Sequence, residues 1–376
     1  MSDLLDRIKA RIQSEGPMSV AEYMSICLLD PKHGYYPTRD PLGSDGDFIT
    51  APEISQMFGE VLGLWVIQCW KDMGSPGGFN LVEMGPGRGI MMSDMLRAIN
   101  LAPDCMDNMS VYLIEASAAL QAVQGNNLAN SPAPVYWAES LEQVPAGPTV
   151  IIGNEYLDCL PIRQFIQTDR FAEISGWRER LVTLDPETNE LSFAMSPEPV
   201  SELLAQSFPS EHVNAINDEV LETCPAAQQT LDSIKNKFKS SPGRALFIDY
   251  GPEVTEFGDT LQALKRHQKV GVFSDPGNTD LTARVDFAAL QEFAASIELS
   301  YCPAVPQSEF LSKLGIEMRA ASLAKAKPDS KAKIARQLER MTGEEQMGQL
   351  FKAICFQSDG MGVPLGFRST GTDEAI

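Results

Sequence analysis

Phe79-Asn-Leu-Val-Glu-Met-Gly-Pro-Gly-Arg-Gly89 runs directly into a helical stretch, Ile90 to Ile99. Phe79 to Val82 is a short apolar run of the kind that forms a buried strand, and Glu83 closes it. Gly85, Gly87 and Gly89 then come at alternate positions, where a Cβ would obstruct a tight turn or a ligand approaching the backbone. Strand, glycine turn and helix in this order bring a nucleotide-like ligand against bare main chain. The stretch predicts a doubly wound α/β fold built around it.

Two common ligands fit poorly. The dinucleotide fingerprint requires glycine where Ile90 stands, and no phosphate-binding G-x-x-x-x-G-K-[ST] occurs. The pattern E-x-G-x-G-x-G suits a ligand whose amino-acid carboxylate and ribose lie over the loop, with no pyrophosphate to cradle. That ligand is S-adenosylmethionine. Val111 to Ile114 reads as the next strand, ended by Glu115, whose carboxylate can accept hydrogen bonds from both ribose hydroxyls. An ordinary α/β turn with a solvated glutamate is the plain alternative, and two acids in place weigh against it. Val135 to Trp137 reads as a third strand with Glu139 just beyond it. The expected cofactor contacts are Glu83, Gly85, Gly87, Gly89, Glu115 and Glu139, joined by Asp47 and Thr50 if the N-terminal region closes over the ligand.

Composition narrows the rest. With 376 residues, 43% of them hydrophobic, the chain can bury one large core or two modest ones. A formal net charge of −21 repels phosphate backbones and makes nucleic acid an unlikely partner, while suiting cationic ones. The seven cysteines include no C-x-x-C pair, and the three histidines lie far apart, so no metal site is expected. No signal peptide, Arg-rich transit segment or long apolar span stands out, which predicts a soluble cytoplasmic protein of bacterial type with no membrane contact.

In chain order, residues 1–75 read as an N-terminal helical cap, including a capping box at Ser19-x-x-Glu22 and a helix from Thr50 to Gly74 with Thr50 as N-cap. The loop from His33 to Asp47 carries two tyrosines and is a candidate lid. Residues 76–160 form the cofactor-binding half, with a fourth strand at Thr149 to Ile152. Residues 161–240 form an insert, β ribbons over 162–194 and helical over 196–240. Residues 241–376 supply the second half of the sheet and a helical C-terminal region. There Arg244 to Ile248 is a fifth strand, Thr260 to His267 opens a helix, and Gly271 to Ser274 and the region near Tyr301 are candidates for the last two strands. Exposed helical stripes are compatible with a homodimer.

The chemistry is expected after the fourth strand. Methyl transfer to a guanidinium needs carboxylates that hold its plane and draw charge away from the attacking nitrogen. Asn154, Glu155 and Asp158 supply an amide and two acids one turn of chain apart. Asp249-Tyr250-Gly251 can line the same cleft, and Asp280 and Asp286 can face a cationic substrate, although each also serves as an ordinary turn or cap. His267 reads as structural.

Together Gly46 to Gly59, Glu83 to Gly89, Asn154 to Gln164 and Asp249 to Gly251 resemble the MidA family, and Gly258 to Ala263, His267 and Asp280 to Phe287 extend the match. The resemblance implies a class I S-adenosylmethionine-dependent methyltransferase with a mostly parallel sheet and an antiparallel last strand. It implies methylation of an arginine on a protein, with a subunit of NADH dehydrogenase as the mitochondrial substrate, or a bacterial counterpart of it, and complex I assembly as the setting. Carried over by motif, Gly85, Gly87 and Glu115 hold the cofactor, and Asn154, Glu155 and Asp158 border the acceptor. Arg284 stands where the family often has histidine and takes no catalytic role. The alternative is an assembly factor that binds a partner protein and keeps the cofactor site without using it.

Overall fold

The computed structural model describes residues 3–38, 50–169, 171–172 and 176–368. Its centre is a sheet of seven strands: β1 (Phe79–Met84), β2 (Met109–Ile114), β3 (Val135–Ala138), β4 (Thr149–Asn154), β5 (Gly243–Tyr250), β6 (Ser300–Pro306) and β7 (Phe351–Gln357). Their spatial order is β3-β2-β1-β4-β5-β7-β6. β1 to β5 run parallel, and β7 is antiparallel to both its neighbours. The expected doubly wound sheet with an antiparallel last strand is what the chain forms.

β1, β4 and β7 are buried at every residue, which is why β1 and β4 read as near-continuous apolar runs and not as alternating ones. Helices cover both faces. Gln56–Asp72, Ile90–Ile99, Gln307–Lys313 and Ile316–Ala326 pack on one side, and Pro225–Phe238 and Phe287–Ser296 on the other. The strand order reverses between β1 and β4, where Met84 lies opposite Gly153. Ligands of open α/β sheets bind at such a reversal, beyond the carboxyl ends of the strands.

A second layer forms beside those carboxyl ends. Trp177–Leu184 pairs with Met18–Ser19, Arg163–Gln167 and Leu191–Met195, and Val220–Thr223 joins through Arg163–Gln167. The helices Asp3–Glu15 and Val20–Leu29 share a core with residues of this sheet and with Ala263, Leu281 and Ala283. Among the described residues no helix is long and apolar enough to cross a membrane.

Several expectations change. The stretch 196–240 is not helical throughout, since Val220–Thr223 is a strand. Thr260 to His267 forms no helix. Gln262–Lys265 and Gln268–Val270 make a hairpin, whose turn takes Arg266 and His267 to φ of 50° and 60°. Gly271 to Ser274 is a turn, and the strand expected there is supplied by Phe351–Gln357. The helix read from Thr50 to Gly74 is two helices, Ala51–Ile54 and Gln56–Asp72. Ser55 breaks it with an extended φ of −161°, and its hydroxyl accepts from Met57 N at 3.3 Å. Thr50 sits at the N-cap position of the short helix, but its side chain makes no capping bond. The Ser19–Glu22 capping box forms as read.

Candidate active site

The ends of β1, β2 and β4 open into one cavity of about 370 Å³. Gly85 and Gly87 form its floor at φ of 64° and 51°, left-handed values that an L side chain adopts with strain. A Cβ on Gly85 would stand 3.2 Å from Tyr156 Cδ2, the ring that follows β4. Gly89 does not line the cavity. At φ 76° it is the N-cap of the helix Ile90–Ile99. The left-handed φ by itself accounts for a glycine at this position.

Glu83 is 2% exposed, and its Oε2 has no hydrogen-bond partner among the described residues. Burial pushes its carboxyl up to about 8. Asn154 Oδ1 is likewise buried and unpartnered. Both residues line the cavity. Buried polar atoms left in this state are costly, so each is available to a polar group of a ligand. Glu115 lines the same cavity, with Ser117 N donating to Oε1 at 2.7 Å. Burial raises its carboxyl, and the Ser117 bond works against that rise. Glu139 and Thr50 also line the cavity. Asp47 lies outside the described residues, as does most of the candidate lid. The described part of that loop brings Tyr36 to the cavity wall, where its hydroxyl donates to Asp280 Oδ1 at 3.0 Å.

Three residues are expected to border the acceptor. Asn154 and Glu155 line the cavity, and Asp158 does not. Glu155 takes φ 51°, and no helix follows β4, so a spacing of one helical turn does not put both acids on one face. Glu155 Oε1 accepts from Ala51 N and from Asn154 Nδ2, each at 3.2 Å. Burial, with Asp249 next, pushes its carboxyl up to about 8. Asp158 is buried behind the wall, and burial and the charge of Asp249 raise it well above the carboxylate range.

Asp249 also stays behind the wall. Its Oδ2 accepts from Leu157 N at 2.8 Å and Asp158 N at 3.2 Å, and Oδ1 from Tyr250 N at 2.9 Å. It is the brace that shapes the segment after β4. Asp286 is the N-cap of Phe287–Ser296, His267 is in the hairpin turn, and Arg284 pairs with Glu256 at 2.9 Å.

Two charged lining residues escaped the sequence reading. Glu53 faces the cavity from the short helix Ala51–Ile54, with Arg88 Nη1 at 3.8 Å from Oε1. In sequence Glu53 passes for a helix-capping residue, and Arg88 for the spacer between two glycines.

The lining is thus rich in carboxylates, with Arg88 as a cation. It presents unpartnered acceptors, a strand-end acid and glycine main chain. These fit S-adenosylmethionine, which carries an ammonium, a carboxylate, ribose hydroxyls and a cationic sulfonium.

Comparison with known proteins agrees. A family model described as putative S-adenosyl-L-methionine-dependent methyltransferase matches residues 61–302. The mitochondrial protein arginine methyltransferase NDUFAF7 of Danio rerio is 35% identical, covering 93% of this chain and 85% of its own. The Homo sapiens protein of the same name is 33% identical, with 93% and 82% covered. A Burkholderia thailandensis crystal structure bound to S-adenosyl-homocysteine superimposes with a TM-score of 0.83 at 27% identity, over 96% of this chain and 93% of that one. The chain belongs to this family of S-adenosylmethionine-dependent methyltransferases.

Proposed function

We propose that the enzyme methylates an arginine side chain of a protein substrate, with Glu155 and Asn154 bordering the acceptor. The observation that carries this reading is the position of Glu155. A residue in a strained left-handed conformation at the end of β4 holds a carboxyl in the cofactor cavity, with few donors to stabilise its charge. A guanidinium beside it supplies that stabilisation.

When bound, S-adenosylmethionine supplies a methyl group on a positive sulfur. The chain's own residues do the rest. Glu155 fixes the guanidinium plane and holds charge away from the nitrogen that attacks. Asn154 Oδ1, unpartnered among the described residues, accepts from an N–H of the same guanidinium. Burial of the site keeps these interactions strong. The activity in the relatives' name supports arginine as the acceptor. A subunit of NADH dehydrogenase is the first protein to test, because the MidA resemblance implies it. We place the reaction in the cytoplasm.

The test is transfer of labelled methyl from S-adenosylmethionine into protein in a lysate that lacks the enzyme's own gene. Wild type labels arginine, and Glu155→Gln lowers the rate by about a hundredfold or more while S-adenosyl-homocysteine affinity stays within about threefold. Cofactor binding with no labelled protein would instead favour the non-catalytic assembly role.

A further inference from the structure

Gln124 lies near the end of the helix Ala118–Asn127 and is 0% exposed. A buried primary amide destabilises a fold unless its donors and acceptor are all used. Here they are. Nε2 donates to Gly87 O at 2.7 Å and to Glu115 Oε2 at 3.1 Å, and Oε1 accepts from Trp137 Nε1 at 2.8 Å. Trp137 can only donate, so the amide oxygen must face it, and the NH₂ must face the two acceptors. The orientation is therefore determined by chemistry. Three elements meet at this one side chain: the glycine loop, the end of β2, and β3 at the edge of the sheet. Asn127 adds a second hold from the same helix, with Nδ2 donating to Arg88 O at 2.8 Å. In a trans peptide the carbonyl and the following N–H point opposite ways, so anchoring Gly87 O also fixes the Arg88 N–H.

Gly87 and Glu115 line the cofactor cavity, whereas Gln124 and Trp137 do not. We propose that Gln124 is a positioning residue for the cofactor: it sets the Glu115 carboxylate and the glycine loop in fixed relation, and Trp137 holds it in the required orientation. The role depends on the cofactor site and not on which acceptor is methylated. An apolar side chain of similar size would fill the same space but leave Gly87 O and Glu115 Oε2 without this donor.

The test is calorimetric titration of S-adenosyl-homocysteine into the full chain and into Gln124→Leu, Glu115→Ala, Trp137→Phe and the corresponding double variants. Gln124→Leu is expected to weaken binding about tenfold, and the double variant with Glu115→Ala by clearly less than the product of the two single losses. Trp137→Phe, outside the cavity, is expected to weaken binding about threefold, with little further loss in the Glu115→Ala background. A residue that merely packs would show no such dependence on Glu115. Gln124→Leu binding within about twofold of wild type, or losses that multiply fully, would overturn the proposal. If Gln124→Leu does not fold, the Trp137→Phe and Glu115→Ala cycle decides by the same criterion.

Discussion

Glu115 and Glu155 close strands on either side of β1 and face one cavity, yet they are held differently. Glu115 sits at the end of β2, with a backbone N–H and a side-chain amide donating to it at 2.7 and 3.1 Å. Glu155 sits in a left-handed turn at φ 51°, with two longer bonds of 3.2 Å and with Glu53 and Asp249 adding negative charge nearby. At the end of β2 the carboxylate is held before any ligand arrives. The acceptor half holds acids that a cation would settle. Rigidity suits a ligand that is the same in every turnover. A carboxyl that gives up its proton readily only beside a cation suits an acceptor that must be held and then released.

The largest effect should come from breaking the arranged half. Gly85→Val places a branched side chain at φ 64° and a Cβ 3.2 Å from Tyr156. The loop must move, and the acceptors around it with it. Binding of S-adenosyl-homocysteine is expected to fall about a thousandfold or more, below calorimetric detection, while the far-ultraviolet circular dichroism of the fold persists. Binding within about tenfold of wild type would mean that the loop is less fixed than its hydrogen bonds imply.

The acceptor half should instead fail through stability. Asp249 accepts three backbone N–H groups from Leu157, Asp158 and Tyr250. Asp249→Ala leaves them buried and unpaired at a cost of about 3 kcal/mol, read from the urea midpoint. Asp249→Asn keeps one acceptor oxygen and should lose about half as much. Equal losses in the two variants would show that the negative charge, and not the bracing, is what matters at this position.

How much of this was legible follows from where each side chain points. β1 and its glycine turn were readable because a strand buried on both faces is a plain apolar run, and glycine marks left-handed turns. β7 has the same character but contains Lys352, which suggests a surface strand. In the fold Lys352 is 8% exposed, and its ammonium reaches Gly251 O at 3.3 Å. The hairpin at 262–270 was hidden because Arg266 and His267 make its turn without glycine or asparagine. Asp158 was misplaced because sequence spacing assumes a helical period, and the segment after β4 is irregular. Gln124 carries no signal at all, since a helical glutamine reads as solvent-facing until its three partners are seen together.

The contrast between the two acids can be sharpened by pH. In the folded protein Glu155 is pushed up to about 8, well above a carboxyl in the unfolded chain. The folded state then keeps a proton that the unfolded chain has released. Its stabilising contribution is full below the ordinary carboxylate range and is lost as pH rises toward about 8. Glu83, also near 8, acts in the same direction. The urea midpoint of the cofactor-free protein should therefore fall between about pH 5.5 and about pH 8, each such acid contributing at most about 1.4 kcal/mol per pH unit. Glu155→Gln should flatten this slope, and Glu115→Gln should flatten it less, because Glu115 has better donors. Identical slopes for wild type and Glu155→Gln would remove the distinction.

The smallest effect concerns the helix that touches both halves. Thr50 lines the cavity and occupies an N-cap position, but its side chain makes no capping bond, whereas Ser55 caps the long helix through Met57 N. Ser55→Ala should cost about 1 kcal/mol in the urea midpoint, and Thr50→Ala less than about 0.5 kcal/mol. The near-neutrality of Thr50→Ala for folding is what makes it informative. Any loss of S-adenosyl-homocysteine affinity in that variant reports contact with the ligand, because the helix it precedes does not depend on the hydroxyl. A stability loss as large as that of Ser55→Ala would mean that Thr50 does cap its helix, and the affinity change could no longer be assigned to the cofactor.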